Sequence, residues 1–382
     1  AAELDKIFPG LPVLLRRVDG HSCVVNSKAA EMIPWKTPLP ASFNGYLNGR
    51  INGRTTNWFH LNLDDETILK AYHKAAQIAV HNGLTAVHTM IGDAFSDPKH
   101  FTWIKENLSE FPLEFILYPQ ITNVQKALEI GSPRVGGCVL ADGSFGSHTA
   151  GLLEPYLDDP TNYGMLYRTT EEWERIIRQA HENDLQMAVH CIGDAAITQI
   201  LSIYEKLQKE NPKNLQHELI HCELTSDEML DRIAAAGCSA VMQPMFDRLW
   251  AGEDGLYQTR LGKERTARTN RLASIYKKGI LLTGGSDWYI TDVDPLQGID
   301  AAVRLHNPQE RLTPYQAVEI YTTNAAGLSS DQHRFGTIEA GKEADFSCLK
   351  EDIFSSDKIA DIPVQSVIRK GEFIYRCEEI YE

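Results

Sequence analysis

From about Thr67 to Gly327 the chain repeats one unit: a short apolar run, a loop, then a capped helix. Seven runs read as strands, around Leu84, Leu113, Val135, Gln186, Glu218, Ser239 and Ile280. "QMAVHCIGD", residues 186–194, shows the type: apolar almost throughout, then an imidazole and a glycine turn. Strands apolar on both faces are strands covered on both faces. Strand, helix, strand in this rhythm predicts an α/β fold with a parallel sheet and helical crossovers. Seven strands are one short of a closed eight-fold barrel, and an open doubly wound sheet competes with it. Helix starts are marked by Thr169 with Glu172, by Thr225 with Glu228 and by Thr313 with Pro314 and Gln316. Asp194 can cap the helix that follows the fourth run, and Gly237 closes the next one.

The two ends differ from this middle. Residues 1–62 hold three Asn-Gly pairs, at 44, 48 and 52, each a turn signal, so the segment reads as a β-rich insertion. After His333 short β runs alternate with glycine turns. The net charge of -15 disfavours nucleic acid, whose phosphates it would repel. No apolar run reaches the length of a membrane span. The seven cysteines are odd in number and form no CxxC pair, which fits reduced thiols and a cytoplasmic setting.

In a parallel barrel the chemistry sits where strands end. Four strand ends stand out: Cys138 with Asp142, His190, His221 and Asp287. Each has an ordinary structural use by itself, as core imidazole, turn carboxylate or small hydrophobe. Together, two histidines and an aspartate at three separate strand ends make a set that a catalytic metal uses. A strand-end aspartate can also take the proton of a metal-activated water.

The segments "RRVDGHSCVVNSKA", "LADGSFGSHTAGLLEPY", "AVHCIGDAAI", "HELIHCEL", "VMQP", "GGSDWYI" and "GTIEAGKEADF" resemble the amidohydrolase superfamily. The likeness is to its amidohydrolase-3 branch, which includes N-substituted formamide deformylases. It keeps the motif order along essentially the whole chain. The resemblance implies a metal-dependent (β/α)8 TIM-like barrel with a small β-sandwich appended. It divides the chain into an insertion at 1–62, a catalytic barrel at 63–332 and the C-terminal part of the sandwich at 333–382. It makes His190 and His221 metal ligands, Asp287 a ligand and the catalytic proton carrier, and places Asp142, His21 and Arg265 near the substrate. The cofactor it implies is a divalent metal ion, zinc first, with iron or manganese as alternatives.

Two features depart from the family. Its first strand ends in an HxH pair, yet no two of the thirteen histidines here are separated by a single residue. Barrel strand 1 is therefore expected to be missing, and exposed sheet edges then favour a homo-oligomer. Secondly, Cys138 stands where many relatives carry a lysine that is carbamylated between two metals. A thiolate is a zinc ligand in its own right; the alternative is that Cys138 only packs. The expected function is metal-dependent hydrolysis of the C–N bond of a small amide or N-formyl amine. The competing reading is a non-catalytic or truncated relative that binds a small molecule or regulates.

Overall fold

The computed structural model describes residues 1–35, 38–39, 42–92 and 99–377. Near the N-terminus, β1 (Leu14–Arg16), β2 (Ser22–Val25) and β3 (Tyr46–Asn48) form a three-stranded antiparallel sheet. The seven expected strands follow: β4 (Ala86–Ile91), β5 (Glu114–Pro119), β6 (Arg134–Leu140), β7 (Gln186–Cys191), β8 (Glu218–His221), β9 (Ser239–Met242) and β10 (Leu282–Gly284). β4 and β5 pair in parallel; β6 to β10 form a five-stranded parallel sheet in chain order. β11 (Phe346–Leu349), β12 (Val364–Arg369) and β13 (Glu372–Arg376) make an antiparallel sheet at the C-terminal end. Among the described residues, no helix is long and apolar enough to cross a membrane.

The helices cover the parallel strands because one face of each is apolar. In the helix Thr170–Glu182, Trp173, Ile177 and Ala180 are fully buried against Met187 and Val189 of β7. Burying Ile177, Met187 and Val189 contributes about 1.5–3 kcal/mol each. Thr169 and Glu172 close the expected capping box, as do Thr313 and Gln316 on the helix Pro314–Glu319. Two other starts differ by one residue. Ser226, not Thr225, accepts from Met229 N–H to cap the helix Asp227–Ala236. Asp194 is the first residue of the helix Asp194–Glu210 and instead accepts from Leu153 N–H at 2.9 Å. Val367 of β12 packs with Ala76, Ala79 and Val80 of the helix Asp65–His81, which seats the C-terminal sheet.

The Asn-Gly turns fare unevenly. Gly45 turns the chain into β3 with φ 95°, as expected. Asn48, however, precedes the helix Gly49–Leu61, and Asn52-Gly53 lies inside it. Asn52 is buried, and its Nδ2 donates to Gly20 O at 2.8 Å. That long-range bond outweighs the local turn preference, which is worth only about 1 kcal/mol per glycine.

Candidate active site

Side chains from all seven parallel strands line one cavity of about 640 Å³, among them His88, Phe115, Cys138, His190, Ile220, Val241 and Thr283. The reactive groups gather at the carboxyl ends of the strands. Cys138 enters it because β6 bulges: Gly136 and Gly137 have φ 97° and 89°, and the register to β7 shifts between Gly136 and Leu140. Only glycine takes those angles freely. His190 sits near the end of β7, and His221 is the last residue of β8, with φ 70°. Asp287 follows β10 with φ 51°. Left-handed backbone at two non-glycine site residues is strain of the kind that active sites retain.

The ligating atoms of Cys138, His190 and His221 lie within 4.8 Å of one another. No other such grouping of three occurs among the described residues. Each imidazole is oriented by its outer nitrogen. His190 Nε2 donates to Gly143 O at 3.0 Å, which turns the lone pair of Nδ1 toward Cys138 Sγ, 3.6 Å away. His221 Nδ1 donates to Gln243 Oε1 at 2.7 Å. Its Nε2 is buried without a hydrogen-bond partner. A buried lone pair left unpaired is costly, and second-shell bonds of this kind are how proteins aim histidine at a metal. Burial holds both imidazoles below their usual pKa, and in His190 the neighbouring His221 and His21 add to the effect, so both are neutral as ligation requires. Burial, then Asp287, pushes the Cys138 thiol up. Two neutral imidazoles and a sulfur, with an inward-facing orphan lone pair, fit a divalent metal.

Asp287 stands outside this 4.8 Å grouping, unlike the four-ligand set expected from the sequence. The reason is local: β10 stops at Gly284 and the chain turns before Asp287. Burial pushes its carboxyl up, and the neighbouring His221 and Arg16 draw it back. Asp287 and His21 line both the large cavity and a smaller neighbouring pocket walled by Phe246, Trp250 and Tyr257. The His21 ring lies 5.0 Å from that of His190, and burial brings its pKa down to about 4 against the pull of Asp19. Phe246 stacks on His221 at 5.7 Å.

Asp142 and Arg265 are placed differently from the expectation, for neither lines these cavities. Asp142 Oδ1 accepts from Ile192 N–H at 3.0 Å, and Oδ2 from Gly151 and Gly193 N–H at 2.9 and 2.8 Å. Burial raises its pKa to about 7 against these three donors. It lies behind His190, 3.5 Å from Nε2, and so positions the site. Arg265 is buried and donates to Leu261 O of its own helix at 2.8 Å and to Glu154 O at 3.1 Å, and the second bond ties that helix to the segment between β6 and the helix Thr170–Glu182.

Sequence reasoning missed two contributors. Gln243 reads as the end of a strand, but inward alternation from Val241 points to it. Asp19 fixes the loop between β1 and β2 to the segment after β6: it accepts from Ser144 Oγ at 2.8 Å, Ser147 Oγ at 2.9 Å, Arg17 Nε at 2.9 Å and His21 N–H at 3.1 Å. Nothing local in "RRVDGHS" announces partners 125 residues away.

A parallel α/β fold with this strand-end cluster is the architecture of metal-dependent hydrolases. The family model described as "Amidohydrolase family" matches residues 1–375, and the chain belongs to that family, in its amidohydrolase-3 branch. It is 30% identical over 410 residues to "Putative amidohydrolase YtcJ" of Bacillus subtilis, covering 98% of this chain and 76% of that protein. It is 21% identical to the "N-substituted formamide deformylase" of Arthrobacter pascens, covering 92% and 70%. The fold matches an uncharacterized metal-dependent hydrolase from Pyrococcus horikoshii with TM-score 0.77 at 24% identity, covering 92% of this chain and 73% of that one. Family and fold support a hydrolase that uses a divalent metal.

Proposed function

We propose that the protein hydrolyses the C–N bond of a small amide or N-formyl amine at the Cys138–His190–His221 cluster. The observation that carries this reading is the orphaned, inward-facing Nε2 of His221 beside His190 Nδ1 and Cys138 Sγ. The donor set of two imidazoles and one thiolate favours zinc over iron or manganese. When bound there, the metal supplies polarisation of the scissile carbonyl and acidification of the attacking water.

The chain's own residues supply the rest. Asp287 accepts the proton from water and gives it to the amine nitrogen as the C–N bond breaks, since an amide anion leaves poorly. His21, neutral and at the border of both cavities, donates a hydrogen bond to the substrate's oxygen. Gln243 and the carbonyl of Gly143 keep His221 and His190 in the tautomers that ligation needs. In this reading the seven strands are strands 2 to 8 of a (β/α)8 barrel, with the space between β4 and β10 belonging to strand 1. The cavity lined by both β4 and β10 supports it.

The test is amine release from a panel of N-formyl and N-acyl amines. The expected result is release that a chelator abolishes, zinc restores and Asp287→Asn lowers by at least a hundredfold. Release that is indifferent to both chelator and Asp287→Asn would refute it.

A further inference from the structure

The wall of the large cavity carries a cation that is bonded to no carboxylate among the described residues. Arg16, the last residue of β1, is exposed and lines the mouth of the cavity together with Asp287 and Tyr289. Among the described residues its guanidinium makes no hydrogen bond and no ion pair, in a chain of net charge -15. The one acidic group in its own loop, Asp19, is taken by the next residue, Arg17, at 2.9 Å. Arg16 is nonetheless held in place. Its guanidinium carbon sits 4.9 Å from the centroid of the Tyr289 ring. Behind it the chain passes through Gly20, where a Cβ would come within 2.9 Å of Nη2. The charge reaches the reacting groups, since it acts on Cys138, His21 and Asp287 alike. A guanidinium stacked on an aromatic face keeps its N–H edge free, and that planar fork matches a carboxylate.

We propose that Arg16 binds a carboxylate on the amine half of the substrate, so that the site takes N-acylated amino acids in preference to neutral amides. The amine half is specified because Arg16 adjoins Asp287, the group that hands the proton to the leaving nitrogen. This rests on the hydrolase reading above for the direction in which substrate lies. The acyl half then faces the aromatic pocket of Phe246, Trp250 and Tyr257.

The probes are hippurate and its uncharged counterpart hippuramide, titrated calorimetrically into the full chain. A chelator is present throughout, so that no carboxylate–metal bond can supply a preference. The wild type is expected to bind hippurate about tenfold more tightly. Arg16→Gln should bring that ratio to about one with hippuramide affinity unchanged, and Arg16→Lys, which keeps the charge without the fork, should fall between. Equal affinities or no hippurate binding in the wild type would overturn the assignment. So would a preference that survives in Arg16→Gln, or in Arg16→Lys alone at full strength if the glutamine variant does not fold. Because the metal is withheld, failure of metal-dependent amine release leaves this result intact, and the two readings fail separately.

Discussion

Asp142→Asn isolates the strongest structural claim about the site. The wild-type carboxylate accepts three backbone N–H groups, one on Oδ1 and two on Oδ2, all buried. An asparagine has one acceptor oxygen. Placed at the Oδ2 position it keeps Gly151 and Gly193 but sets its NH2 against the N–H of Ile192. Placed at the Oδ1 position it keeps Ile192 and orphans the other two. Each buried N–H left unpaired costs about 1–3 kcal/mol, so the substitution destabilises by about 2–5 kcal/mol including the lost charge assistance. For a chain of 382 residues that is a fall in melting temperature of roughly 2–6 °C. Thermal melting followed by circular dichroism, without substrate, is the assay. The same variant should loosen metal binding, because the loop carrying Gly143 and the imidazole of His190 rest on this carboxylate. A melting temperature within about 1 °C of wild type would refute the reasoning and return Asp142 to the substrate.

Other substitutions follow from the same bonds. Gln243→Leu removes the acceptor at His221 Nδ1 and should weaken metal affinity by about 10–100-fold with little change in melting, read by competition with a chromogenic chelator. Away from the site, His217 accepts from Met187 N–H at 3.0 Å through Nδ1, pairs with His181 at 3.0 Å and stacks on Tyr204 at 4.8 Å. Burial, then His181 and Lys213, lowers its pKa to about 3. The unfolded chain therefore binds more protons below pH 6.5, so the stability this neutral histidine brings is complete above pH 6.5 and lost as pH falls toward 3. Its contribution to the slope is up to about 1.4 kcal/mol per pH unit, and urea midpoints from pH 6.5 to 4 should fall less steeply in His217→Gln. An unchanged slope would show that His217 is not held neutral.

What could be read in the sequence follows distance along the chain. The seven strands are legible because apolar runs buried on both faces need no partner to be recognised, and the Thr169 and Thr313 caps because a capping box closes within four residues. The helix Gly49–Leu61 is not legible, since what overrides its Asn-Gly pairs is a bond from Asn52 to Gly20. The same holds at the site. His190, His221 and Cys138 declare themselves by ending or interrupting greasy strands. Asp142 and Arg265 belong to recognisable segments, but their partners are backbone atoms of Ile192, Gly193 and Glu154, which only the folded chain brings near. The gap between Asp287 and the three-residue cluster depends on a turn geometry that "GGSD" does not specify.

The most direct measurement is metal content per polypeptide by elemental mass spectrometry, on the wild type and on His190→Ala/His221→Ala prepared side by side. The cluster predicts about one divalent ion per wild-type chain, zinc first, and none in the double variant. Equal metal in the two proteins, or none in either after zinc is supplied, would contradict a metal centre at Cys138, His190 and His221.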